Sequence, residues 1–235
     1  SGKAIIEALH GLEEGAPPFS PGLAARLLAE FARISGQAPA RLCGNLILCR
    51  RCGATPHFAG SGDWRVLEDR VAKLAAEIGP GAYPMPIGGA TAVGAVGYVL
   101  AADELLAQQP EAPDWIVVAD GSGGTHAGLL AGLPASVRVL GVDVARPPTP
   151  HAERIPALAA ETARLTGRPP PRGECLLVDH TGPRYGALTD EALDAIRLAA
   201  RTEGLLLDPV YTGKALAGLR AAVREGRVSG TVVFL

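Results

Sequence analysis

The run Trp115-Ile116-Val117-Val118-Ala119 leads into a glycine-rich turn, Gly121-Ser122-Gly123-Gly124-Thr125, which opens a segment of helical period. A continuous apolar run, without apolar–polar alternation, belongs to a strand covered by helices on both faces. Val139-Leu140 repeats the feature one unit further on. Short β-rich runs at 41–43, 55–59, 83–87, 115–119, 137–142, 174–178 and 231–235 alternate with helix-period segments at 4–14, 22–35, 45–52, 63–78, 92–108, 125–133, 150–167, 189–203 and 213–225. This alternation, with short Gly turns at the joints, predicts an α/β chain built on a parallel sheet with right-handed crossovers. Aromatic residues make up only 4% of a chain that is 48% hydrophobic, so Ala, Leu and Val must fill its core.

The net charge of −2 gives no electrostatic case for nucleic acid or an anionic membrane. No segment approaches the ~18 unbroken apolar residues of a membrane span. No basic-then-apolar signal opens the chain, and a cytoplasmic protein is expected. The four cysteines, Cys43, Cys49, Cys52 and Cys175, are too few and too uneven for a disulfide framework. Cys49-Arg50-Arg51-Cys52 has the spacing of redox and zinc sites, but it lies in a helical pattern and has no second pair. The last run, Val232-Val233-Phe234-Leu235, is a strand with nothing after it, and at Pro17-Pro18 two predicted helices meet with no strand between them. Incomplete termini are therefore expected.

Two turns could carry chemistry. Consecutive N–H groups of Gly121-Ser122-Gly123-Gly124-Thr125 can cradle a phosphate, aided by the helix dipole and two hydroxyls. Asp208-Pro209-Val210-Tyr211-Thr212-Gly213-Lys214 follows the apolar Leu205-Leu206-Leu207 and opens a helix, which puts a tyrosine and a threonine at a strand-to-helix turn. Ligands of open α/β sheets bind at such places. The glycine loop admits two readings. In one it binds a dinucleotide, with Asp143 as the ribose acid about 20 residues on. In the other its Ser/Thr-rich form holds the single phosphate of pyridoxal phosphate, which also needs a lysine. There are three lysines. Lys73 sits on an exposed-looking amphipathic helix, Lys214 lies one turn into a helix beside Tyr211 and Thr212, and Lys3 starts the first predicted helix. Tyr211 is a candidate acid or base if its phenol pKa is lowered, whereas Tyr185, in a Gly/Pro loop, is as readily a packed plug as a functional group. His126 is expected to pack at its helix start, and His10, His57, His151 and His180 have no metal-ligand spacing.

Four pieces, in order and spacing, carry a resemblance: Gly44-Asn45-Leu46-Ile47-Leu48 with Gly53-Ala54; Pro86-Ile87-Gly88-Gly89 with Gly94-Ala95-Val96-Gly97-Tyr98; Gly121-Ser122-Gly123-Gly124-Thr125-His126-Ala127-Gly128; and Tyr185-Gly186 with Glu203-Gly204 and the segment from Asp208 to Lys214. The chain resembles the pyridoxal-phosphate enzymes of the D-cysteine desulfhydrase and 1-aminocyclopropane-1-carboxylate deaminase group. These share the tryptophan-synthase β fold, with two open, mostly parallel twisted sheets flanked by helices.

The resemblance implies a larger cofactor domain from residues 1–3 and 83–235, a smaller α/β domain from 4–82, and a homodimer. It implies that Gly121, Ser122, Gly123, Gly124 and Thr125 bind the cofactor phosphate, that Thr212 hydrogen-bonds the pyridine nitrogen, and that Lys3 forms the Schiff base. Tyr211 and Tyr185 would face a small amino-acid substrate, and Ser20 would contact its carboxylate. Deaminase members carry glutamate where Thr212 stands, which favours β-elimination from D-cysteine or a related thiol amino acid. Ser1-Gly2-Lys3-Ala4-Ile5, Phe19-Ser20-Pro21 and Ala90-Thr91 depart from the family's Gly-Asn-Lys, Gln-Ser-Asn and Ser-Asn. Deaminase-like ring opening, a non-catalytic relative of the fold and a nicotinamide-binding protein are the alternatives.

Overall fold

The computed structural model describes residues 45–235, so the predicted helices at 4–14 and 22–35, the run at 41–43, and Lys3 and Ser20 lie outside the described residues. The chain divides into two compact units, Ser1–Pro84 and Met85–Leu235.

In the first unit, α1 (Asn45–Arg51) and α2 (Trp64–Ile78) flank a loop. The Asp63 carboxylate caps α2 by accepting from the N–H groups of Arg65 (2.8 Å) and Val66 (3.3 Å). Residues 55–59, expected as a strand, are irregular; Pro56 removes a ladder donor there.

The second unit is a four-stranded, all-parallel sheet of β1 (Trp115–Asp120), β2 (Arg138–Asp143), β3 (Cys175–Asp179) and β4 (Val232–Phe234), in the order β3-β2-β1-β4. Helices α3 (Ala92–Gln108), α4 (Gly124–Gly132), α5 (His151–Leu165), α6 (Asp190–Glu203) and α7 (Thr212–Arg224) complete it. The doubly covered sheet is visible in β1 itself. Ile116 and Val118 pack with Val139, Leu129, Ile155 and Ala159 on one face. Trp115 and Val117 pack with Leu140, Val142, Ala215 and Ala222 on the other. Strand alternation therefore feeds two cores, and burying each such aliphatic side chain contributes roughly 1.5–3 kcal/mol.

Two other expected strands are loops. Residues 83–86 are irregular and Ile87–Gly89 form a single 3-10 turn; Pro84 and Pro86 cannot donate to a ladder. Leu205 and Leu206 are exposed in an irregular segment, so the turn at Asp208 follows a loop rather than a strand.

The chain runs β1–α4–β2–α5–β3 outward in one direction and then returns by α6 and α7 to place β4 on the far side of β1. The order reverses at β1, and the crevice beyond its carboxyl end is the topological switch point. The glycine loop lies there.

Candidate functional site

The parallel register aligns Asp120 with Asp143 and Asp143 with Asp179, so three adjacent strands end in a row of carboxylates. Each is held by a group from the segment that follows it. His126 Nδ1 lies 2.8 Å from Asp120 Oδ2, with both side chains fully buried. His151 Nδ1 lies 2.7 Å from Asp143 Oδ1. Asp179 accepts from the Thr181 N–H at 2.8 Å and from Arg146 at 3.4 Å, and these bonds hold its carboxyl below the usual range against a smaller opposing effect of burial.

The glycine loop joins Asp120 to α4 and is bracketed by these groups. Asp120–His126 closes it from within. From below, His151 Nε2 donates to the Gly121 carbonyl at 3.0 Å. Gly123 has φ 81°, and a β-carbon there would stand 2.7 Å from Ile155; only glycine combines that φ with that space. Gly124 opens α4 beside Ala90, 3.4 Å from where its β-carbon would be, and Gly88 packs on Ser122. Ser122 and Thr125 are half-buried. The donor set is therefore a helix N-terminus, closely approachable glycine backbone and two hydroxyls, and it fits a phosphate ester.

The second turn meets the first. A β-carbon on Gly121 would lie 3.1 Å from the Tyr211 ring. Tyr211 in turn hydrogen-bonds Tyr185 through their hydroxyls, with the rings edge-to-face at 6.2 Å and 70°. Tyr185, Tyr211 and the loop thus form one cluster. Burial and the bond to Tyr211 push the Tyr185 phenol above its ordinary range. It is a proton-bearing hydroxyl, not the lowered-pKa group that a phenolate base would require.

Thr212 lies beside Tyr211, but its hydroxyl donates to Asp208 Oδ2 (2.6 Å) and accepts from the Asp208 N–H (2.9 Å). Asp208 also accepts from the N–H groups of Val210, Tyr211 and Thr212 at 2.7–2.9 Å. It braces the turn that leads into α7 and fixes both Tyr211 and Thr212. Burial works against its charge, yet these bonds hold its carboxyl below the usual range. A hydroxyl proton donated to Asp208 is not available to a ring nitrogen in this arrangement.

Of the described lysines, Lys73 is exposed, as expected. Lys214 is fully buried, with Nζ donating to the Thr181 carbonyl at 2.6 Å, and burial lowers its pKa. It ties the Tyr185 loop to α7. Burial, with Asp120 and Asp143 nearby, raises the Cys175 thiol to about 12 and leaves it inert, while Cys49 and Cys52 are free and exposed. Among the described residues no His/Cys/Asp/Glu group could hold a metal, and no helix is long and apolar enough to cross a membrane.

Asp208, Lys214, and the pairing of His151 with Asp143 are the parts that sequence reasoning missed or left unassigned. Asp143 also corrects the dinucleotide reading, because the carboxylate cast as the ribose ligand is committed to His151.

A doubly wound parallel sheet with a phosphate cradle and a tyrosine pair at its switch point defines a cofactor-binding α/β protein of the enzyme type. The comparisons give the family. The family model described as "Pyridoxal-phosphate dependent enzyme" matches residues 24–235. A Pyrococcus furiosus protein provisionally named 1-aminocyclopropane-1-carboxylate deaminase is 34% identical over 99% of this chain and 74% of its own length. The D-cysteine desulfhydrase of Yersinia pestis is 39% identical over 65% of this chain and 49% of its own. A crystal structure of an ACC deaminase homologue superposes with a TM-score of 0.77 at 33% identity, covering 91% of this chain and 67% of that one. The chain belongs to the pyridoxal-phosphate-dependent enzymes, and pyridoxal phosphate is its cofactor.

Proposed function

We propose that this protein is a lyase or deaminase that uses pyridoxal phosphate on a small amino acid, most specifically releasing sulfide, ammonia and pyruvate from D-cysteine or a related thiol amino acid. The observation that carries the proposal is the contact of Tyr211 with Gly121, which sets two phenols beside the phosphate cradle. Gly121, Ser122, Gly123, Gly124 and Thr125 bind the phosphate through backbone N–H groups and the two hydroxyls. Lys3 holds the cofactor. Bound, pyridoxal phosphate supplies an electron sink for the carbanion formed on the amino acid.

The chain's own residues handle protons and orientation. Tyr211 and Tyr185 share a hydrogen bond, so one phenol can pass a proton to the substrate while the other holds the remaining oxygen in place. Ser20 takes the substrate carboxylate. Asp208 fixes the turn, and Thr212 reaches a ring nitrogen only by exchanging its bond to Asp208. The protein acts as a homodimer in the cytoplasm.

In the β-elimination, water and D-cysteine give hydrogen sulfide, ammonia and pyruvate, with the Cβ–S bond broken. A second reading, ring opening of 1-aminocyclopropane-1-carboxylate to 2-oxobutanoate and ammonia, is favoured by the name of the Pyrococcus relative that matches nearly the whole chain. Thr212, in the position where deaminase members carry glutamate, favours the elimination. Assaying purified protein with D-cysteine, L-cysteine and 1-aminocyclopropane-1-carboxylate separates the readings. Sulfide and pyruvate from D-cysteine alone support the proposal. 2-Oxobutanoate from the cyclopropane substrate replaces it with the second reading, and no ketoacid from any substrate overturns both.

A further inference from the structure

His151 is 4% exposed and enters no step proposed above. Both ring nitrogens face acceptors. Nδ1 is 2.7 Å from the Asp143 carboxylate, and Nε2 is 3.0 Å from the Gly121 carbonyl. A carbonyl oxygen only accepts, so Nε2 carries a proton; a carboxylic acid is ordinarily a stronger acid than an imidazolium, so the proton shared with Asp143 sits on Nδ1 too.

In a trans peptide the C=O and the next N–H point in opposite directions. Pinning the Gly121 carbonyl onto α5 therefore aims the Ser122 N–H away from α5. We infer that His151 is a positioning residue for the cofactor phosphate, a buried, doubly donating imidazolium that sets the Gly121–Ser122 peptide so that its N–H serves the anion. The inference rests on the reading of the loop as the phosphate cradle.

The surroundings supply the charge balance. Asp143 of β2 is the partner, and Asp120 of β1, itself bound to His126 of α4, adds negative potential. Cys175 of β3 is neutral, Arg154 of α5 is turned to the Ala90 carbonyl at 3.5 Å, and Arg146 is drawn to Asp179. Burial opposes the charge on His151, but the Asp143 bond and the nearby carboxylates outweigh it and raise its pKa.

The test has two arms. In the first, the ¹⁵N imidazole spectrum of the full chain, assigned by the resonance missing from His151→Gln, is expected to show both nitrogens protonated at neutral pH. A neutral His151 overturns the inference, whatever the fate of the variant. In the second, affinities for pyridoxal phosphate and for pyridoxal are compared. His151→Gln, which is uncharged and has a single donor nitrogen, is expected to weaken pyridoxal phosphate about tenfold and pyridoxal by less than about twofold. Equal losses for both ligands mean a merely structural role and overturn it. If wild type binds pyridoxal phosphate no tighter than pyridoxal, the phosphate reading of the loop falls and takes the inference with it. That failure is recognisable because the imidazole spectrum is still as expected.

Discussion

Asp120 and Asp143 are register partners at the ends of β1 and β2, and each carboxylate is hydrogen-bonded to its own histidine, His126 and His151. Neighbouring parallel strands lie ~4.8 Å apart, so two bare carboxylates there would repel. The histidines relieve that repulsion and, in doing so, tie the carboxyl ends of the two central strands to the starts of α4 and α5. The glycine loop between them inherits its shape from both ties.

Gly141, next but one before Asp143 on β2, exists to make room for the inner pair. A β-carbon there would lie 1.8 Å from Asp120 Oδ2 and 2.6 Å from His126 Nδ1. Gly141→Ala should destabilise the fold by about 3 kcal/mol or more, read by urea denaturation. A loss under about 1 kcal/mol would mean that the pair moves freely, which the account does not allow.

Stability should also track the His151–Asp143 pair. The His151 pKa is raised in the fold above its unfolded value of about 6.5. Its stabilisation is therefore complete below about pH 6.5 and is lost as pH rises through the folded value. Denaturation midpoints measured from pH 6 upward should fall for wild type and stay flatter for Asp143→Asn. Parallel curves would show that the pair is not titrating.

Asp208 works in the opposite sense. Its folded pKa lies below the ordinary aspartate value of about 3.8, so its contribution is present above that value and disappears as pH falls through the folded one. Asp208→Ala should cost about 2 kcal/mol at neutral pH and should flatten the acid limb of the stability curve. If the variant unfolds in acid along the wild-type curve, Asp208 is not the brace that holds Tyr211 and Thr212.

The Tyr185 phenol is raised above the ordinary tyrosine value of about 10. Ultraviolet titration of wild type and Tyr185→Phe should therefore coincide up to about pH 10, and an alkaline limb in activity should not shift in the variant. An ionisation below that range that vanishes in Tyr185→Phe would restore a phenolate base.

How much of this was legible depended on distance along the chain. The strands around Val117 and Leu140, the helix expected near 63–78 and the loop from Gly121 to Thr125 could be read because each is a local pattern whose packing agrees with its propensity. Residues 55–59 and 83–87 misled because Thr55, Phe58 and Tyr83 are strand formers, whereas Pro56, Pro84 and Pro86 deny the ladder. Leu205 and Leu206 misled through apolarity alone. The His151 tie could not be read, since it joins groups 30 residues apart. One signal did lie in plain view: three predicted strands are followed by Asp120, Asp143 and Asp179. Asp143 has the spacing of a ribose ligand, but its partner is a buried histidine.

We propose that this chain holds pyridoxal phosphate through a lysine and that Lys3 has that role. The measurement is the absorbance spectrum of the purified chain with added pyridoxal phosphate, wild type beside Lys3→Ala. The account predicts a lysine-bound cofactor band near the visible edge in wild type and its loss in the variant. A band that survives in Lys3→Ala would contradict the assignment and move the role to Lys214 or Lys73, and no band in either protein would contradict the account of the site.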